Sequence, residues 1–411
     1  MFHCRCCDST RLELVFDLGE QPWGNHFVPI SGGEPVPRYP LQLLVCRDCA
    51  MAQIGHTVPK EVMFRHHRYL SGTTRSLRDH FDKVAAAIVA RVPFGPGEYT
   101  LDIGGNDGTF LLRLKERGVA VLNAESGVWQ ADLSRQAGVE CINDFFNQDL
   151  ARRIRAEKGP AKAIHGSGIF FHLEELHSCF AGIKEVLAAD GTLVAEFIYL
   201  PQMMKSCAFD QIYHEHLVYY SLSSFGELLR RHGLKIVDAS LLPIHGGSCI
   251  AWITHAERDA APSPALEALL AEERAMRLDD LEVYRDFARR AGKLRDTLVG
   301  LVRAFRAEGK SVYALGAPVK GSTIVNFCGF DHDDLECAVE INPLKVGTLV
   351  PGTAIPVLHQ DTVKPPDVYL MLSWNFKDEI LAKMDHFLAA GGKIIVPIPE
   401  PIIVDAAMAR A

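Results

Sequence analysis

Residues 101–114 read LDIGGNDGTFLLRL: an apolar run containing an acid, a turn with Gly104, Gly105 and Gly108, then apolar residues at helical spacing. Glycine lets backbone approach a ligand closely and adopt positive φ. Strand, glycine turn and helix, in that order, present a ligand at the carboxyl end of a strand in an open α/β sheet. The spacing here is D-x-G-G-x-x-G and not the dinucleotide fingerprint G-x-G-x-x-G, which points away from NAD. Twenty-three residues after Asp102, in NAES, stands Glu125. At the end of the next strand its carboxylate can accept hydrogen bonds from both hydroxyls of a ribose.

Working outward, VAVLNAES, AKAIHGSGIFFHL and DGTLVAEFIYL continue the alternation of short apolar runs with helical stretches. That alternation predicts a parallel sheet with crossover helices, a Rossmann-like domain. Beyond His255 a Pro/Ala-rich segment opens a long helical tract, in which Tyr284, Phe287, Ala291, Leu294, Leu298, Leu301 and Phe305 form one apolar stripe suited to packing between domains. Strand and turn patterns then resume. At 411 residues the chain exceeds what one core usually serves. Three units are expected: residues 1–70, 71–260 and 261–411.

The formal net charge of −8 argues against nucleic acid and anionic membranes as partners and leaves small molecules. No window is apolar enough to span a bilayer, and MFHCRCCDST resembles neither a signal nor a transit peptide, so a cytoplasmic location is expected. Five of the eleven cysteines lie in CRCC and CRDC near the N-terminus. Cys4, Cys7, Cys46 and Cys49 make two CxxC knuckles, the pattern of a structural zinc site, with Cys6 left over. Four thiolates leave zinc no open position, so such a metal organises the fold and performs no chemistry.

The polar constellation is FDQIYHEHLVYYS, residues 209–221. His214 and His216 are two apart, which does not fit the zinc-protease helix. In an extended strand Tyr213 and Glu215 would face away from both histidines, so only an irregular loop gathers all four. His172 in IFFHLEEL follows a strand of the central sheet, and His245 in PIHGGS stands before a glycine turn. ALGAPVKGST begins like a phosphate-binding loop but carries Ser322 where the essential lysine belongs, so ATP hydrolysis is not expected. Backbone amides with Lys320 can still hold a pyrophosphate at a helix N-terminus. Asn342 and Trp374 lie at later strand ends, and for the tryptophan packing is the commoner explanation.

LDIGGNDGTFL resembles motif I of S-adenosylmethionine methyltransferases. Together with the cysteine module, FDQIYHEHLVYYSL, PIHGGS and GAPVKGST, in that order, it resembles the deoxysugar C-3-methyltransferase family over essentially the whole chain. The resemblance implies an N-terminal zinc module, a central S-adenosylmethionine domain and a C-terminal Rossmann-like domain that helps hold a nucleotide-linked sugar. It implies methylation of C-3 of a 4-keto-6-deoxy or 2,6-dideoxy sugar, carried on thymidine diphosphate or alternatively guanosine diphosphate, by a monomer. His216 matches the general base, and Tyr213, Glu215, His172 and Tyr69 match other polar residues of the active site. Cofactor contacts are expected at Asp102, Gly104, Gly105, Asn106, Asp107, Gly108, Glu125, Ser126 and Ser167, and substrate contacts at His214, His245, Lys320, Asn326 and Asn342. An O- or N-methyltransferase would share the glycine loop and is the alternative reading.

Overall fold

The fold is described from a computed structural model, for residues 2–32, 36–64, 69–244 and 246–408. Three sheets organise the chain. The central one has seven strands in the order Leu234–Leu242, Ser248–His255, Leu187–Ile198, Ala161–Ser167, Tyr99–Ile103, Ala120–Ala124 and Cys141–Ile142. Its last five strands are parallel and the first two form an antiparallel hairpin on the edge. Tyr99–Ile103 is buried at all five positions, as expected for a parallel strand covered on both faces. Gly108, at φ 79°, turns the chain into the helix Thr109–Lys115. No helix among the described residues is long and apolar enough to cross a membrane.

The C-terminal sheet has eight strands with five parallel ones at its centre, Lys393–Val396, Val368–Met371, Val312–Leu315, Ala338–Glu340 and Pro356–His359. The N-terminal sheet is antiparallel, Leu12–Pro22, Arg38–Cys46, Ala52–Ile54 and Val218–Tyr219. Two short strands therefore leave their own neighbourhoods. Val28–Pro29 pairs with Thr348–Leu349 at the edge of the C-terminal sheet, and Val218–Tyr219 completes the N-terminal sheet directly after the Tyr-His-Glu-His segment.

The long helix Leu281–Ala307 buries Tyr284, Phe287, Ala291, Leu294, Leu298, Val302 and Phe305. Leu301, expected in this stripe, is only partly buried, and Val302 takes the inward position. The stripe meets both the N-terminal hairpin, through Phe16 against Phe287 with ring centroids 5.8 Å apart, and the C-terminal core. The segment 209–217 contacts elements around all three sheets: Glu215 accepts from Trp23, the Leu217 amide donates to the Phe171 carbonyl and the Ile212 carbonyl accepts from Thr323.

Candidate active site

The glycine loop is built on buried polar bracing. Asn123, two residues before Glu125, accepts from the amide of Gly105 at 3.1 Å and donates to the carbonyl of Asn106 at 3.1 Å. A Cβ on Gly105 would lie 2.5 Å from Asn123 Oδ1 and 2.6 Å from Asp102 Oδ2, so only glycine fits above these two side chains. Asp102, expected among the cofactor contacts, sits beneath the loop and pairs with His165 Nδ1 at 2.8 Å. Burial pushes its carboxyl up, and His165 opposes that.

Glu125 lies beside the loop, 4% exposed. Its Oε2 accepts from the amide of Asn106 at 2.8 Å and its Oε1 from the amide of Gly127 at 2.6 Å. These amides use only part of the acceptor capacity of a carboxylate, which leaves room for a pair of vicinal hydroxyls. These acceptors fit the ribose hydroxyls of S-adenosylmethionine. Ser126 and Ser167 are half-buried at the ends of their strands, and Ser167 is in register with Glu196.

A strap crosses the loop. Asn106 Oδ1 accepts from the amide of Ser71 and its Nδ2 donates to the carbonyl of Tyr69, while Asp107 Oδ2 accepts from the amide of Gly72. Gln130 Nε2 also donates to the Tyr69 carbonyl, at 3.1 Å. The side chains of Asn106 and Asp107, expected to meet cofactor, are thus committed to holding Tyr69 in place. Tyr69 as a residue is 54% exposed, while burial at its phenol, with Asp107 and Glu196, pushes that group up to about 12.

Ile169 packs directly on the loop, 3.0 Å from where a Cβ of Gly104 would stand. The turn it begins, with the His172 amide donating to the Ile169 carbonyl at 2.9 Å, delivers His172 to the constellation. Phe171 and Phe170 tie this turn to the later segment, their carbonyls accepting from the Leu217 amide and the Tyr220 hydroxyl.

The segment 209–217 is irregular. A 3-10 turn spans Phe209–Gln211, and the His216 amide donates back to the Tyr213 carbonyl at 2.9 Å. That second turn puts the His216 ring under Tyr213, centroids 3.8 Å apart, and 5.1 Å from the His172 ring. His216 Nδ1 donates to the Gln211 carbonyl at 2.8 Å and His172 Nδ1 donates to the Glu215 carbonyl at 2.5 Å. In the neutral ring of each, the basic lone pair is therefore on Nε2. His172 can donate from Nε2 only when protonated, whereas the Tyr213 phenol against the His216 ring is a neutral donor. Burial, with Glu215 nearby, holds the Tyr213 phenol well above its ordinary value.

Glu215 Oε1 accepts from Trp23 Nε1 and Asn25 Nδ2, both at 2.6 Å. Burial raises its carboxyl, and the two donors and Lys345 oppose the shift. His214 goes the other way. It is fully buried against the stacked pair of Tyr39 and His56, its Nε2 3.4 Å from the Pro40 carbonyl, and burial lowers its imidazole to about 4. The structure therefore does not bring His214 to the cleft as a substrate contact.

Of the remaining expected substrate residues, His245 lies outside the described residues. Asn326 donates to the carbonyls of Ser322 and Pro351 and accepts from Arg38, a structural joint between units. Asn342 accepts from the Leu344 amide within its own turn. Lys320 is 9% exposed and lies on the face of Trp374, 4.7 Å from the ring centroid; burial lowers its ammonium to about 8, and Asp210 opposes that. Asp210 accepts from Trp374 Nε1 at 2.6 Å. Trp23, Asn25, Asn123 and Asp210 carry no local sequence signal, because each acts through a partner distant in the chain or through bracing that no motif encodes.

At the other end of the N-terminal sheet the Sγ atoms of Cys4, Cys7, Cys46 and Cys49 all lie within 4.8 Å of one another. The Cys4–Cys49 and Cys7–Cys46 pairs are 3.5 Å apart. Zinc–sulfur bonds of about 2.3 Å in a tetrahedron require sulfur–sulfur edges of about 3.8 Å, so the cluster fits zinc. Amides of Cys6 and Asp48 donate to Cys4 and Cys46 sulfur. Burial pushes the Cys7 thiol up to about 11.

Three family profiles match the chain: a zinc binding domain over residues 4–64, a methyltransferase domain over 69–239 and a C-methyltransferase C-terminal domain over 243–399. C-methyltransferase NovU of Streptomyces niveus is 33% identical over 408 residues, 98% of this chain and 97% of that protein. Among solved structures, the CcbJ methyltransferase from Streptomyces caelestis is 11% identical, with TM-score 0.34 over 43% of this chain and 89% of its own. Magnesium protoporphyrin IX methyltransferase from Synechocystis PCC 6803 with bound SAH is 15% identical, with TM-score 0.35 over 43% and 83%. The glycine loop with Glu125, the thiolate cluster and near-full-length similarity to NovU converge: the chain belongs to the C-methyltransferases, S-adenosylmethionine-dependent enzymes with an N-terminal zinc-binding domain.

Proposed function

We propose that the enzyme methylates C-3 of a nucleotide-linked 4-keto-6-deoxy or 2,6-dideoxy sugar, with thymidine diphosphate the favoured carrier. The observation that carries this reading is the pair of adjacent imidazoles, His216 and His172, each tied through Nδ1 to a backbone carbonyl in a cluster that also holds Tyr213 and Glu215. A 4-keto group acidifies the C-3 proton, and His216 Nε2 takes that proton as general base. Tyr213 donates to the oxygen on which charge develops, a contribution of about 3–4 kcal/mol in characterised oxyanion sites. Glu215 grips a sugar hydroxyl or fixes the backbone carbonyl that orients His172, and Tyr69 closes the cleft from the cofactor side. When bound, S-adenosylmethionine supplies an electrophilic methyl group. Glu125 holds its ribose, and Lys320 at the start of the helix Val319–Cys328 takes the pyrophosphate, within a nucleotide-binding unit comprising residues 261–411.

The test is incubation with S-adenosylmethionine and a panel of nucleotide-linked 4-keto sugars, with the product read by NMR. A new methyl on a C-3 that has lost its hydrogen supports the reading. A methyl ether, or no product with any 4-keto sugar, refutes it.

A further inference from the structure

Gln211, whose carbonyl receives the Nδ1–H of His216, is held on both sides by the C-terminal unit. On one side Asp210 Oδ2 accepts from Trp374 Nε1 at 2.6 Å, and on the other the Ile212 carbonyl accepts from Thr323 Oγ1 at 3.1 Å. Asp210 is fully buried, and its second oxygen has no hydrogen-bond partner. A buried carboxylate is costly unless compensated, and here the nearby Lys320 ammonium and the Trp374 N–H oppose the cost, so the bond to Trp374 and the charge of Lys320 act on the same group of this segment. The indole is confined as well. A Cβ on Gly246 would lie 3.0 Å from Trp374 Cη2 and 3.4 Å from Gln211 Nε2, so the absence of a side chain there lets Trp374 and Gln211 close together. The opposite function of the same ring is electrostatic: Lys320 Nζ sits over its face, 4.7 Å from the centroid.

We propose that Asp210 and Trp374 are positioning residues that couple Lys320 to the segment carrying His216, so that anion binding at the nucleotide end of the substrate sets the base at its reacting end. This rests on His216 being the base. It makes the C-terminal unit part of the proton-transfer apparatus and not only a holder of the nucleotide.

Three variants test it beside His216→Asn. Trp374→Phe keeps a ring under Lys320 and removes the N–H; Asp210→Asn keeps an acceptor for the indole, and Asp210→Ala removes it. The readouts are kcat, C-3 deuterium wash-in in D2O with S-adenosylhomocysteine, and S-adenosylhomocysteine affinity by calorimetry. Trp374→Phe and Asp210→Ala are expected to lower kcat and wash-in by about tenfold to a hundredfold, the scale of a misplaced catalytic group, with cofactor affinity within about twofold. Asp210→Asn is expected to recover most of the rate. Should either damaged variant fail to fold, Thr323→Val removes the companion bond with little change of shape and is expected to show the same selective loss. Rates within about threefold of wild type in Trp374→Phe and Thr323→Val, alongside an inactive His216→Asn, overturn the coupling and leave the base assignment standing. Near-wild-type turnover by His216→Asn overturns both. A loss that instead tracks cofactor affinity overturns the coupling in favour of a purely structural role.

Discussion

His216→Asn isolates the proton step. Asparagine places Nδ2 where the imidazole has Nδ1, so it can still donate to the Gln211 carbonyl, now 2.8 Å from His216 Nδ1. The backbone anchor survives while the lone pair of Nε2 disappears. The Tyr213 ring, 3.8 Å from the imidazole centroid, loses only part of its packing partner. The expected cost is therefore that of a general base, about 10²–10⁴ in rate, or about 2.7–5.4 kcal/mol of transition-state stabilisation. Single-turnover mass spectrometry of the methylated sugar reads that range directly, and deuterium wash-in at C-3 reads the proton step without methyl transfer. Cofactor affinity should not move, since Glu125 and the glycine loop are untouched. His172→Asn keeps its own donation to the Glu215 carbonyl by the same logic and is expected to be milder. If His216→Asn turns over within about threefold of wild type while His172→Asn is inactive, the roles of the two rings are exchanged and the assignment is wrong.

Glu125→Ala should raise the KM for S-adenosylmethionine by about tenfold to a hundredfold, from two lost charge-assisted bonds, with little change in the KM for sugar; equal effects on both would refute the ribose assignment. Cys46→Ser should lower zinc content, measured by elemental analysis, and reduce melting temperature before it changes cofactor affinity. Glu215→Gln keeps an acceptor for Trp23 and Asn25, whereas Glu215→Ala strands both donors and should cost about 2–4 kcal/mol in denaturant unfolding. Burial raises the Glu215 carboxyl, so its contribution to stability is present below the unfolded pKa and is lost as pH rises through the folded one; Glu215→Gln should flatten that fall. The His214 imidazole is lowered to about 4, so folding loses about 3 kcal/mol between pH 6.5 and 4 as the unfolded state takes up the proton first, and His214→Gln should remove this acid sensitivity.

What could be read in the sequence was local. The glycine loop, Glu125 and the cysteine knuckles announce themselves by spacing within one strand–turn–helix unit or one knuckle. The Tyr-His-Glu-His segment was recognisable as an irregular loop, but its directions were not, since a turn closing from His216 onto Tyr213 decides that His216 and Tyr213 share a face while His214 packs on Tyr39. Asp102, Asn106 and Asp107 looked like ligand contacts because they lie in the glycine loop or at the strand end that leads into it. Their side chains brace it or hold the strap, tasks that depend on residues 69–72 and 165 returning to it. The Asp210–Trp374 bond joins positions 164 residues apart and leaves no periodic trace.

The strand exchange has a consequence for biosynthesis. Val28–Pro29 must wait for Thr348–Leu349, which at about 5–20 residues per second means roughly 15–60 s of translation. Trp23 and Asn25, which clamp Glu215, lie just upstream of that waiting strand. The clamp on Glu215 can acquire its final geometry only after the C-terminal sheet has accepted its foreign edge, so a ribosome-bound chain lacking residue 348 is expected to bind cofactor at its finished glycine loop while the sugar site stays incomplete.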